Sequence, residues 1–385
     1  MYSKKLVFWA ACLGILLFGI ALITLGSVTP DLKIKLDLTE IESGTLFSIL
    51  PFGILIGSVL FGPVVDKFGY RLLLAVSCIL LFAGFEGVAY AVDQKILKIC
   101  IFLIGLGGGA VNGATNALVA DISDNDKAAN LSLLGVFFGI GALGMPLILG
   151  LLRSTLSFET IVAAVGILTL ATAILFLMLR FPPPKQARGF PLKRSLSLVK
   201  DPVILLIAFF LFFQSSFEGI LNNWTTTYLI NHMSVPQNSA LYGLSLFVAG
   251  MVVMRLLLGS IFRSATTVKI MTSSFALIFV GLIIMKACIS VITAMAGLFL
   301  LGAGLAGGFP VMLGLTGARF SDLSGTAFSF VLAIALIGNM LINYGMGVIA
   351  QNYGIEHLLN VASGELVIMI VLFFVIIGKA ERTNN

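Results

Sequence analysis

Amide and carboxyl side chains lie inside otherwise apolar stretches of the sequence, at spacings that place them on one side of a helix. Gln214, Glu218 and Asn222 follow an i, i+4, i+8 pattern, and residues four apart are neighbours on a helix surface. The spacing of four recurs in the pairs Asn112 with Asn116 and Asn339 with Asn343. An amide offers hydrogen-bond donors and acceptors without a net charge. This chemistry favours a neutral, hydroxylated ligand over a carboxylate or phosphate, for which arginine would be expected.

Aromatic residues follow in the same stretch as Glu218. A flat ring with a polar edge, as in tryptophan or tyrosine, can stack on a sugar ring. The predicted substrate-binding residues are Asn112, Asn116, Gln214, Glu218, Asn222, Asn223, Trp224, Tyr228, Asn339 and Asn343. The alternative interpretation is that the amides only join helices to one another by hydrogen bonds.

Glu218 is also the candidate for coupling to a cation. A charged side chain at the middle of a bilayer costs at least about 2.5–3.5 kcal/mol, so its presence needs a reason. Burial favours the protonated form of a carboxyl group, and we expect Glu218 either to load and release a proton or to help bind Na⁺. A structural hydrogen bond or pairing with Arg255 is the alternative. Glu86, Arg255 and Glu365 also lie in apolar stretches, and the sequence leaves their role open between function and structure.

The composition of the chain excludes most soluble classes of protein. Of 385 residues, 59% are hydrophobic and 10% are charged, whereas a soluble domain carries roughly 25% charged residues. The formal charge of +6 comes from basic residues that lie between apolar runs, which predicts a lipid bilayer rather than nucleic acid as the partner. No motif for a metal, a cofactor or a catalytic residue is found. This absence argues against an enzyme. An enzyme or a solute sensor embedded in the membrane is kept as the alternative from a different functional class.

Twelve apolar runs have the length of about 20 residues that crosses a bilayer. Because backbone polar groups must be satisfied internally in lipid, we expect an all-α fold of twelve transmembrane helices in two pseudo-symmetric six-helix bundles. The runs cover 6–29, 43–63, 71–92, 96–120, 128–152, 158–180, 202–230, 239–262, 268–288, 291–316, 324–350 and 358–378.

The longest polar stretch contains three successive prolines, which cannot continue a helix. It predicts an N-terminal bundle over 1–180, a cytoplasmic linker over 181–201 and a C-terminal bundle over 202–385. Most lysines and arginines fall in loops on the side of the two termini, so both termini are predicted to be cytoplasmic, in a bacterial-type inner membrane.

Glycines recur at one offset of 197 residues, as expected for a duplicated six-helix unit. The matched pairs are Gly62 with Gly259, Gly105 with Gly302, Gly107 with Gly304, and Gly141 with Gly338.

The loop after the second apolar run reads Gly62-Pro-Val-Val-Asp66-Lys67-Phe-Gly69-Tyr-Arg71. It resembles the Gly-x-x-x-Asp-Arg-x-Gly-Arg-Arg signature of the major facilitator superfamily, with Lys67 and Tyr70 where arginine is usual. In that family the loop is a conformational latch, which the resemblance assigns here to Gly62, Asp66, Lys67, Gly69 and Arg71.

Segments 107–121 and 214–229 resemble the fucose-permease-type, hexose-transporting branch of the superfamily. The resemblance implies a secondary transporter, expected to be monomeric, whose two halves rock around a midplane site lined by runs one, four, seven and ten. It would take up a neutral sugar with H⁺ or Na⁺. Several members carry an acid in run one or four, whereas run four here has Asn112 and run one has none. Efflux of drugs or amphiphiles is the alternative transport function, suggested by 31 phenylalanines.

Overall fold

A computed structural model describes residues 2–123, 127–183, 201–262, 264–287, 290–320 and 324–384. These residues form helices and their connections, and no strand occurs among them. The helices are α1 (Lys4–Leu36), α2 (Glu40–Tyr90), α3 (Gln94–Ile122), α4 (Lys127–Leu152), α5 (Phe158–Met178), α6 (Pro202–Asn231), α7 (Gln237–Gly259), α8 (Thr267–Ala287), α9 (Val291–Leu305), α10 (Gly308–Arg319), α11 (Ser324–Tyr353) and α12 (Leu358–Asn384), with a short 3₁₀ helix (Ile355–His357) before α12.

Eleven helical stretches within the described ranges are long and apolar enough to cross a bilayer, whereas the sequence predicts twelve. The difference arises in α2, whose 51 residues are more than twice the roughly 20 that a crossing needs. Gly69 interrupts α2 with φ 78° and ψ 166°, a conformation that is nearly restricted to glycine. The segments before and after Gly69 correspond to the predicted runs 43–63 and 71–92.

In the second half, α9 and α10 together form one stretch, Val291–Arg319.

The chain forms two compact units, residues 1–189 and residues 190–385. In the first unit, α1 packs against α3 and α4, and α2 packs against α3 and α5. In the second, α6 packs against α7, α11 and α12, and α9 packs against α7 and α8. Residues 184–200 of the predicted linker lie outside the described residues, so the predicted limits of the linker and the bundles stay predictions.

Side chains at the helix starts satisfy backbone N–H groups that have no partner within the helix. Thr39 accepts a hydrogen bond from the N–H of Glu42 before α2, and the Glu42 carboxylate accepts one from the N–H of Thr39. Asp201 accepts from the N–H of Val203 at 2.7 Å, with Pro202 as the first residue of α6. Both arrangements are established helix N-terminal signals.

The glycine repeat in the sequence corresponds to close contacts between helix backbones. A Cβ atom added at Gly105 would overlap the carbonyl oxygen of Leu50, and one added at Gly302 would overlap the carbonyl oxygen of Phe247. Leu50 and Phe247 are themselves 197 residues apart. The same offset relates the contact of Gly107 with Ser77 to that of Gly304 with Ser274, and the contact of Gly53 with Phe102 to that of Gly250 with Phe299. The two units therefore repeat their helix contacts as well as their glycines.

Replacing one of these glycines should separate two helices. We expect Gly302→Ala to lower the free energy of unfolding by about 1–3 kcal/mol, the usual cost of overpacking. Gly345→Ala is the matched control, because a Cβ at Gly345 meets no described atom within 4 Å and alanine favours a helix. Unfolding in mixed micelles with increasing sodium dodecyl sulfate, followed by circular dichroism, measures both. Equal midpoints for the two variants would contradict the close contact at Gly302.

Candidate functional site

Gln214 joins α6 to the point where α9 ends. Its side chain is 1% exposed, and its Nε2 atom donates a hydrogen bond to the carbonyl oxygen of Leu305 at 2.9 Å. Leu305 is the last residue of α9, where helix carbonyls lack a partner within the helix. Gly308, the first residue of α10, leaves room for the amide, since an added Cβ would overlap the Gln214 side chain. Gln214 therefore fixes the break between α9 and α10 against α6.

A chain of amide hydrogen bonds joins α6 to α11. Asn223 Nδ2 donates to Asn343 Oδ1 at 3.0 Å, and Asn343 Nδ2 donates to Asn339 Oδ1 at 3.0 Å. Asn339 Nδ2 in turn donates to the carbonyl oxygen of Ser215 at 2.9 Å. Gly219 makes room for this chain, because a Cβ there would lie 2.5 Å from Asn339 Nδ2. We call these four residues, Asn223, Asn343, Asn339 and Ser215, the amide chain.

Other residues of α6, including Asn222, Thr225 and Thr227, have buried side-chain oxygens that no described residue satisfies. Asn222 is 8% exposed and Thr225 is 1% exposed, yet Asn222 Oδ1 and Thr225 Oγ1 are buried without a hydrogen-bond partner in the described part of the chain. A buried polar atom without a partner costs about 1–3 kcal/mol. A bound solute that carries hydroxyl groups could supply the missing hydrogen bonds. Thr225 was not among the predicted residues, although its spacing of three from Asn222 is a signal that could have identified it.

Glu218 lies one helical turn before Asn222 and is partly exposed. It forms no hydrogen bond or ion pair with the described residues, but the charge of Arg255 on α7 acts on it electrostatically. The alternative interpretation, pairing with Arg255, has no direct contact to support it among the described residues. The role of Glu218 in binding a solute or a cation stays a prediction.

The two predicted aromatic residues, Trp224 and Tyr228, are buried, at 0% and 3% exposure. The Tyr228 ring lies 5.0 Å from that of His232, between ring centroids. Stacking of either ring on a sugar stays a prediction.

Asn112 and Asn116 belong to α3 of the first unit. Asn116 Nδ2 donates to Asn112 Oδ1 at 3.1 Å and to the Asn112 carbonyl oxygen at 2.8 Å. Asn116 is exposed and Asn112 is partly exposed. The spacing is the same as that of Asn339 and Asn343, but the amide chain has no counterpart at Asn112 and Asn116 among the described hydrogen bonds.

The predicted latch residues surround the break in α2. Gly69 forms the break, and the next residue, Tyr70, is buried and donates a hydrogen bond from its hydroxyl to Asp121 Oδ2 at 2.8 Å. Arg71 donates to the carbonyl oxygen of Leu177 near the end of α5. Tyr70 thus holds the end of α3, a role that the motif comparison did not predict for it.

The other latch residues have fewer contacts. Lys67 Nζ lies 5.1 Å from the centre of the Phe68 ring. Asp66 is exposed and forms no hydrogen bond or ion pair with a described residue. At Gly62 an added Cβ would meet no described atom within 4 Å. The roles of Gly62, Asp66, Lys67, Gly69 and Arg71 in a latch stay predictions.

Two further acidic residues lie inside helices. Glu365 on α12 is 4% exposed, and its Oε1 atom lies within hydrogen-bond distance of the hydroxyl of Ser216 on α6. Glu86 on α2 is partly exposed, and its Oε1 atom is buried beside Gly166 without a partner among the described residues. The contact between Ser216 and Glu365 spans 149 positions, and no local pattern in the sequence indicates it.

The sequence matches the family model of the Major Facilitator Superfamily over residues 11–295. The chain belongs to this superfamily. The glucose/mannose transporter GlcP of Bacillus subtilis (strain 168) is 24% identical over 345 residues, which cover 86% of this chain and 84% of that transporter.

Solved structures of superfamily transporters have the same fold. The nucleoside transporter NupG superposes with a TM-score of 0.79 at 15% identity, covering 98% of this chain and 99% of that one. The D-xylose-proton symporter superposes with a TM-score of 0.78 at 15% identity, covering 96% and 97% of the two chains. This superfamily member is therefore an integral membrane transporter for a small molecule and not an enzyme.

The amide chain should contribute measurably to stability. Asn343→Ala removes the acceptor of Asn223 and the donor to Asn339, so we expect a loss of about 1–3 kcal/mol from unsatisfied buried groups. Asn352→Ala is the matched control on the same helix, because Asn352 is exposed and donates only to Val348 within α11. The midpoint of thermal unfolding in detergent should fall for Asn343→Ala alone. Equal midpoints would show that the chain does not stabilise the second unit.

Proposed function

We propose that the chain is a secondary active transporter that takes up a small, neutral, hydroxylated solute, a sugar, together with H⁺ or Na⁺. The observation that carries this proposal is that the buried side-chain oxygens of Asn222 and Thr225 have no hydrogen-bond partner among the described residues. Glu218 lies one helical turn before Asn222 on the same helix. The relevant form is a monomer in the inner membrane, with cytoplasmic termini. It has twelve transmembrane helices in two bundles of six, α2 being counted as two and α9 with α10 as one.

The substrates named for the similar transporters support a hydroxylated solute. They are glucose and mannose for GlcP, D-xylose for the symporter and nucleosides for NupG. All of these compounds present several hydroxyl groups on a ring. The name of the D-xylose-proton symporter also supports coupling to a proton.

The chemistry of α6 suits such a solute. In the proposal, the side-chain oxygen Oδ1 of Asn222 accepts a hydrogen bond from a substrate hydroxyl. The Thr225 hydroxyl can donate or accept one. The hydrogen bonds of Asn223 and Gln214 to protein groups hold α6 in place, so these two residues position the helix that carries the site. In the proposal, Asn112 and Asn116 complete substrate recognition, with Trp224 and Tyr228 as aromatic neighbours.

Glu218 couples the solute to the cation in this proposal. A protonated carboxyl donates one hydrogen bond to a sugar hydroxyl, and an ionised one only accepts. Binding of the proton and binding of the sugar then stabilise each other. Alternating access opens the loaded site first to one side of the membrane and then to the other, with the residues around Gly69 as the latch.

Efflux of drugs or amphiphiles is the second candidate, because 31 phenylalanines provide an apolar surface. It requires a mostly apolar binding site. The polar oxygens of Asn222, Thr225 and Glu218 favour the sugar.

The substrate class can be tested by binding to the purified protein. We expect hexoses, pentoses or nucleosides to raise the midpoint of thermal unfolding, and Asn222→Ala to weaken their binding about three- to tenfold, the value of one hydrogen bond. Asn352→Ala should bind as the wild type does, because Asn352 lies on the exposed side of α11. A response confined to charged organic anions would overturn the sugar assignment.

The coupling role of Glu218 can be tested in vesicles. We expect Glu218→Gln to abolish accumulation driven by a proton or sodium gradient, because the amide cannot exchange a proton or carry charge. Counterflow exchange of the solute, which needs no gradient, should be retained. Glu356→Gln, at an exposed glutamate outside the long helices, is the control and should accumulate normally. Normal accumulation by Glu218→Gln would assign coupling to another group.

A further inference from the structure

Glu365 and Ser216 form a polar contact in the interior of the second unit. Glu365 is 4% exposed and Ser216 is 0% exposed. The Ser216 hydroxyl lies 3.0 Å from the carbonyl oxygen of Phe213 and within hydrogen-bond distance of Glu365 Oε1. The second carboxyl oxygen, Glu365 Oε2, is buried and has no partner in the described part of the chain.

The surroundings of the carboxyl group decide its protonation state. The Ser216 hydroxyl has one hydrogen and two lone pairs, and among the described residues it is the one side chain that bonds to Glu365. The ionised form would also leave Oε2 without a donor, and an unpaired charge in apolar surroundings is among the most costly arrangements in a protein. A proton on Oε1 removes the charge. Glu365 then donates to Ser216 Oγ, Ser216 donates to the carbonyl oxygen of Phe213, and Oε2 is left as the neutral carbonyl oxygen of the acid.

Within the described part of the chain, no charged group bonds to Glu365. The elements that pack against α12 are α6, α8, α11 and the 3₁₀ helix. Their titratable residues within the described ranges are Glu218, Tyr228, Lys269, Lys286, Tyr344, Tyr353, Glu356 and His357. None of them bonds to Glu365, and the side-chain contact that Glu365 makes within the described ranges is with Ser216. The two lysines lie near opposite ends of α8 and are exposed.

We propose that Glu365 is a proton-binding site, distinct from Glu218, that carries a proton in this conformation and hydrogen-bonds α12 to α6 through Ser216. The adjacent residue Ser215 accepts the last hydrogen bond of the amide chain, from Asn339. The contact of α6 with α12 through Ser216 and its contact with α11 through Ser215 are therefore made by adjacent residues. An ionised Glu365 would only accept hydrogen bonds. Loss of the proton would therefore turn the Ser216 hydroxyl from Phe213 towards Glu365 and shift the local support of the helix that carries Asn222.

Infrared difference spectroscopy of the purified protein in lipid nanodiscs near pH 7 tests this directly. An exposed glutamate is ionised there, since its reference pKa is about 4.3. We expect the wild-type spectrum to contain a C=O stretching band of a protonated carboxyl group that is lost in Glu365→Gln and retained in the control Glu218→Gln. Loss of carboxylate bands in Glu365→Gln, with the protonated band unchanged, would overturn the proposal.

A second variant tests the contact without changing the acid. Ser216→Ala removes the hydrogen-bond partner of Glu365, so the protonated band should remain but shift in frequency. An unshifted band would overturn the assignment of the proton to the contact between Glu365 and Ser216. This result stands even if Glu365→Gln does not fold. Both measurements are made without a substrate, so their failure is distinguishable from a failure of the sugar assignment.

Discussion

The need to pair every polar group inside a hydrocarbon layer is the constraint on which the rest of this structure depends. The backbone meets it by forming helices, in which each N–H finds a carbonyl of the same segment. Some buried hydroxyl groups, such as those of Ser27 and Thr29, also bond to a carbonyl of their own helix, whereas other polar side chains bond to another helix. Gln214 forms a hydrogen bond with the last residue of α9, Asn223 forms one with Asn343, and Ser216 forms one with Glu365. The polar residues therefore specify which helices of the second unit lie together, a task that apolar side chains do poorly in lipid.

Close backbone contact provides the second part of this specification. Gly105 and Gly302 bring their helices against the backbones of α2 and α7, respectively. Helices that touch at a glycine maximise van der Waals contact, which replaces the hydrophobic effect as a driving force inside a membrane. The offset of 197 residues relates both members of these contacts, so duplication has preserved the contacts themselves. The polar networks do not follow this offset, since the positions that correspond to Asn339 and Asn343 are Ala142 and Pro146, which have no side-chain amide.

Much of the fold follows from the sequence because segment length and hydropathy suffice to locate the helices. The break in α2 also follows, since Gly69 occurs in a motif with a turn. The candidate site was less predictable. Gln214 and Asn222 are eight residues apart, and eight residues turn an α-helix by about 80° beyond two full turns. Gln214 consequently bonds to Leu305 at the break between α9 and α10. Asn222 points in a different direction around the helix and, within the described part of the chain, does not contact this break through a hydrogen bond. The partners Ser215 with Asn339 and Ser216 with Glu365 lie 124 and 149 positions apart, and helical spacing carries no information about contacts of that range.

The contrast between Asn222 and Asn223 shows how structure separates a supporting residue from a candidate binding residue. The two have the same side chain and adjacent positions, but they lie about 100° apart around the helix. Asn223 is paired through its amide with Asn343, whereas the Asn222 oxygen has no partner within the described residues. The bonds of Gln214, Asn223 and Ser216 hold α6 on several sides before any ligand arrives. A ligand that binds to Asn222 then meets a helix that is already ordered, and less of the binding free energy is lost in arranging it. The hydrogen-bonded amides of Gln214 and Asn223 therefore hold the helix in the position from which the unpaired amide oxygen of Asn222 can bind a ligand.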